Sequence, residues 1–117
     1  MSKTAWALLF KFVMTFIFAV VAFMLVGRNT FGWVFVVAIL GAALNYLAGD
    51  LYVLPKWGNI TASVGDGILG AVLAFLVDLV SGAFTTSFIS LITFAVLIAV
   101  GEYFFHQYLK RSEEVAP

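Results

Sequence analysis

The sequence has no cysteine, two prolines, one histidine and few charges. Each shortage excludes something. Without cysteine there are no disulfides, no thiolate nucleophile and no thiolate metal ligands. A lone histidine beside no cysteine also argues against a zinc site, and no metal or other cofactor is expected. Charged residues make up 10% of the 117 residues, against about 25% in soluble domains. Six basic and six acidic side chains give a formal net charge of zero, so a general attraction to nucleic acid has no support.

Apolar surface is what the chain has in abundance. The hydrophobic fraction is 64%, where soluble domains carry about 45–50%. A water-soluble fold of this size cannot hide that much apolar area. The composition points to lipid as the solvent and to one integral membrane domain over residues 1–117.

Apolar sequence runs from Ala5 to Val26, broken by Lys11 alone, and continues into Gly27-Arg28-Asn29 with no small-residue cleavage pattern. This reads as a retained first span rather than a secretory signal. Asn29 to Gly49 holds 21 residues without a charge, and Leu79 to Gly101 holds 23. A hydrocarbon core of about 30 Å needs about 20 helical residues. The segment from Ile60 to Ser81 carries Asp66 and Asp78 but is apolar between them. Turn residues at 29–32, at Pro55, Gly58 and Asn59, and at Ser81-Gly82 mark the joints. Runs such as WVFVVAILGAAL do not alternate as barrel strands must. The expected fold is therefore all-α, a four-transmembrane-helix antiparallel bundle. Its spans fall at about 5–27, 31–53, 60–81 and 84–106, with a tail at 107–117.

With four spans, both termini and the 49–59 connection share one side. That side carries Lys3, Lys11, Lys56, Lys110 and Arg111, and the other carries Arg28. The positive-inside bias places both ends in the cytoplasm. Trp6, Trp33, Tyr52, Trp57, Tyr103 and Tyr108 fall at the interfaces, as an aromatic belt requires.

Three stretches and one residue carry a family resemblance: KFVMT at 11–15, GDLYVLPKWGN at 49–59 followed by Asp66, and GEYFFHQY at 101–108. With them the chain resembles the YndM-like family of small bacterial membrane proteins. The resemblance implies a four-helix membrane fold in a bacterial plasma membrane. It implies no reaction.

The few charges inside the spans are the candidate site. Asp66 and Asp78 lie about 18 Å apart along one helix, so each sits inside the slab edge and needs a partner. Arg28 and Asp78 are expected to pair on the outer side. On the inner side lie Lys11, Asp50, Asp66, Glu102 and His106, with Asn45 deeper in helix two. Lys11 is expected to meet Asp66 or Glu102. Glu102 and His106 share a helix face at i,i+4. Asp50 and Lys56 read chiefly as loop charges, and Asn45 as an interhelical hydrogen-bonding residue. Lys110, Arg111, Glu113 and Glu114 read as a solvated tail. Ser63, Gly67, Gly70 and Ala74 form one small-residue stripe and Gly41, Asn45 and Gly49 another, suited to close helix packing. Ser87, Ser90 and Thr93 read as packing hydroxyls.

No Ser–His–Asp arrangement or phosphate-loop spacing is present, so the chain is read as non-enzymatic. Two functions follow. One is a small membrane protein acting through helix association, as a homo-oligomer or as a subunit beside other membrane proteins. The alternative is a proton- or cation-coupled transporter or channel using the inner charges, whose bland counterpart is a set of ion pairs fixing helix register.

Overall fold

The computed structural model describes residues 2–111, with side chains through Tyr108. The tail residues Lys110, Arg111, Glu113 and Glu114 fall outside the described side chains. Among the described residues every regular element is a helix. Helix α1 spans Lys3–Val20, with Ser2 Oγ accepting from the Ala5 N–H at 3.0 Å to cap it. Its winding widens into π-helical turns over Val21–Val26. Helix α2 spans Phe31–Leu44 and likewise widens over Asn45–Val53. Helix α3, Leu54–Ser81, follows without a gap, and α4 spans Phe88–Arg111.

Three helical stretches are long and apolar enough to cross a membrane: Lys3–Val26, Phe31–Ser81 and Phe88–Tyr108. The middle one cannot be one rod. Its 51 residues would measure about 76 Å if straight, while the longest dimension of the molecule is 41 Å. The break is at Gly58, with φ 86° and ψ 177°, a conformation that side chains with a Cβ resist. The chain folds back there, so that Gly49 faces Asp66 and Gly41 faces Leu73. Gly82, at φ 67°, ends α3 in the left-handed region.

Neighbouring helices run antiparallel. Lys11 meets Asp50 while Thr15, further along α1, meets the earlier Gly41. Gly67 packs on Ala95 and Ala99 of α4, Gly70 on Phe94, and Gly101 of α4 on Met14 and Phe18 of α1. The small-residue stripe of α3 is thus used inside the chain, where a Cβ at Gly67 would collide with the Ala95 carbonyl.

Helix α4 starts at Phe88, later than the expected 84. Ser87 and Ser90 cap each other reciprocally, with N–H to Oγ distances of 2.8 and 3.1 Å. Phe84 instead enters the core, edge-on to Phe23.

Large apolar side chains cover the outside, among them Leu25, Ile60, Val80 and Phe88. Buried positions include Lys11, Thr15, Asn45, Asp50, Asp66, Glu102 and His106. Oil outside and ions inside is the reverse of a water-soluble protein and matches a lipid surround.

Candidate functional site: a sealed charge cluster

Four segments deliver one or two ionisable groups each to a single level. Lys11 comes from α1, Asp50 from the widened end of α2, Asp66 from α3, and Glu102 and His106 from α4. All five are at most 1% exposed.

The widened winding decides which groups of the second segment reach this level. In an α-helix Asp50 would point roughly 140° away from Asn45. The i→i+5 turns over Asn45–Val53 reduce that offset, so that Asn45, Gly49 and Asp50 are all buried together. Gly49 also lets α3 approach. A Cβ there would overlap the Asp66 carboxylate.

Lys11 Nζ donates to Asp50 Oδ2 at 2.8 Å. It also lies 2.6 Å from Glu102 Oε2, a close ionic contact without hydrogen-bond alignment. His106 Nε2 sits 2.8 Å from Asp50 Oδ1 and 3.1 Å from Asp66 Oδ2, with Glu102 Oε1 at 4.0 Å. The other ring nitrogen, Nδ1, faces Asn59 Oδ1 at 2.8 Å and Ser63 Oγ at 3.1 Å. Ser63 Oγ donates to the same Asn59 oxygen at 2.9 Å, and Asn59 Nδ2 donates to the Tyr103 carbonyl at 2.9 Å. That last bond fixes which end of the amide faces the imidazole.

Apolar layers close the cluster on both sides. Ala7, Leu54, Ala62 and Phe105 lie toward the Gly58 end, one turn or less from Lys11, Asp50, Asp66 and His106. The Phe105 ring is 5.0 Å from Lys11 Nζ and separates the cluster from an open apolar groove of about 600 Å³ between α1 and α4. On the opposite side stands the larger core of Ala19, Phe23, Val37, Ala38, Phe94 and Ile98.

Several expectations change. Asp50, placed among the inner charges but weighted toward a loop charge, is a central member of the cluster. Lys11 meets Glu102, one of its two expected partners, and Asp50 in addition, while the other expected partner, Asp66, faces His106. Asn45 is buried, but neither its oxygen nor its nitrogen has a hydrogen-bond partner among the described residues. The winding there carries Asp50, not Asn45, onto the facing polar groups. Lys56 does stay at the surface, 4.0 Å from the Tyr52 ring centre. The Arg28–Asp78 pair does not form among the described residues. Asp78 Oδ2 accepts instead from the Thr86 N–H and hydroxyl, at 2.9 and 2.7 Å, which sit on the loop directly after its own helix. Asn59, read only as a turn residue, and Thr15, with a buried Oγ that has no hydrogen-bond partner among the described residues, had not been singled out.

The chain belongs to the family described as Protein of unknown function (DUF2512), which it matches over residues 2–115. The uncharacterized membrane protein YndM of Bacillus subtilis (strain 168) is 36% identical over 78 residues, 65% of this chain and 43% of that relative. The chain therefore spans less than half of that relative's length. No solved structure matches.

Proposed function

We propose that this family member crosses a bacterial plasma membrane four times, with both termini in the cytoplasm, and binds a cation between its helices to carry it across. The reversal at Gly58 supports dividing Phe31–Ser81 into two crossings, and the positive-inside bias supports the orientation. Cysteines introduced at Ser2 and Lys56 are then labelled from the cytoplasmic side only, and one at Thr30 from the outside only.

One observation carries the cation reading. Three carboxylates, one ammonium and one imidazole are fully buried at one level between two apolar layers. Ionisable groups at membrane depth are expensive, and they concentrate where ions bind or pass. Register-fixing ion pairs would balance their charges, whereas this cluster holds more acid than ammonium. The association reading is weakened, because the stripe of Gly67 and Gly70 packs against α4 of the same chain.

Proteoliposome flux tests the proposal. Vesicles holding the full chain should show cation entry, reported by a metal-sensitive dye for divalent ions or a pH dye for protons. Asp66→Asn should abolish it. Flux equal to that of empty vesicles for every cation tried would remove the transport reading.

A further inference from the structure

His106 stands between acceptors on both sides. Nδ1 faces the Asn59 amide oxygen, whose orientation the Tyr103 carbonyl fixes. The N–H of a neutral ring therefore belongs on Nδ1, and the lone pair on Nε2 points at Asp50 and Asp66. A lone pair facing two carboxylates is repulsive unless something positive lies between them. Metal-bound histidines have this second contact: the far ring N–H donates to an oxygen that fixes the tautomer.

The rest of the cluster has the same polarity. Lys11 touches Asp50 Oδ2 and Glu102 Oε2, the oxygens turned away from the imidazole. Asp50 Oδ1, Glu102 Oε1 and Asp66 Oδ2 are the ones turned toward Nε2. Asp66 Oδ2 and Glu102 Oε1 are buried and, among the described residues, receive no aligned hydrogen bond. One ligand atom from each of Asp50, Asp66, Glu102 and His106 lies within 4.8 Å of the others. Ligands at about 2.1 Å from one ion are about 3.4 Å apart in a tetrahedron and at most about 4.2 Å apart, so the side chains must draw in by about 0.6 Å or more at the widest separation to close the set. With His106 neutral, three carboxylates against one ammonium leave two negative charges in excess, which a divalent ion cancels.

We propose that Asp50, Asp66, Glu102 and His106 bind one divalent first-row metal ion, with Lys11 and Asn59 as positioning residues behind them. This names the cation class of the site proposed above and rests on that reading. Three oxygens and one imidazole nitrogen, with no sulfur, suit Mn²⁺, Fe²⁺, Co²⁺ or Zn²⁺. Ca²⁺, which takes six to eight oxygens, is a poorer fit.

Because His106 is the only histidine, its ¹⁵N signals need no assignment. The full chain in detergent, stripped with chelator and titrated with Zn²⁺ or Mn²⁺, should bind one equivalent. With Zn²⁺, Nε2 should shift to a metal-bound value while Nδ1 keeps its proton. Asp66→Asn and His106→Gln should abolish binding, and Asn59→Leu should weaken it about 10- to 100-fold. An imidazolium with both nitrogens protonated at saturating Zn²⁺, or no stoichiometric binding by the unsubstituted chain, overturns the proposal whether or not any variant folds. Flux on the same preparations separates the two readings. Stoichiometric binding without flux supports the metal site and removes transport, and proton flux through metal-free protein does the opposite.

Discussion

His106 Nδ1 lies 2.8 Å from the amide oxygen of Asn59, a residue at the bundle end beside the Gly58 break. The side chain that orients the buried imidazole therefore sits partly exposed, next to the chain reversal. Asn59→Ala removes this acceptor and the partner of Ser63. A loss of about 1–3 kcal/mol is expected from the unsatisfied groups, read as a lower melting temperature in detergent. Asn59→Asp keeps the acceptor oxygen and should retain most of the stability.

Lys11→Met leaves Asp50 and Glu102 buried without their ammonium. Breaking a buried pair by removing one partner costs about 3–5 kcal/mol. Combining it with Glu102→Gln should recover part of that loss. A denaturation double-mutant cycle measures the coupling, and additive effects would show that the two residues do not act as a pair.

Gly49→Ala places a methyl group on the Asp66 carboxylate, whereas Gly65→Ala meets nothing within 4 Å. The first should destabilise the protein by more than 1 kcal/mol, as overpacking does. The second should be neutral or stabilising by up to about 1 kcal/mol, since alanine is the better helix former. Thermal melts of the two single variants decide this.

At the far end, Arg28→Ala should change stability by no more than about 0.5 kcal/mol. Asn29→Ala should do more. The Asn29 side chain donates to the Phe23 and Thr85 carbonyls at 3.0 and 2.8 Å and accepts from the Thr85 N–H at 2.7 Å, tying two loops together. A large Arg28 effect coupled to Asp78 would restore the ion pair that the structure replaces with Thr86.

Uncharged runs and turn residues made the helices and their joints legible in the sequence, and depth along the spans placed Lys11, Asp50, Asp66, Glu102 and His106 on one side. Facing direction was harder to read. Asp50, a member of that set, was weighted toward a loop charge because it lies in the 49–59 connection, and the widened winding over 45–53 buries it beside Asn45 and Gly49. Asn59 looked like a turn residue because its role depends on a ring 47 positions away. Sequence spacing could not show three carboxylates converging on one ring nitrogen. Arg28 and Asp78 shared a depth, but a nearer hydroxyl and N–H on the following loop satisfied the carboxylate first.

The antiparallel order also sets a sequence of events during synthesis. Lys11 is made before any of its counter-charges, and Asp50 follows 39 residues later. Glu102 and His106 arrive only with the last helix. Until α4 docks, the earlier segments hold an ammonium and two carboxylates without their full set of partners, so the ribosome-bound intermediate carries an incomplete ionic centre. Membrane insertion machinery or local water must shelter it, and truncation within α4 should leave a chain that quality-control proteases recognise.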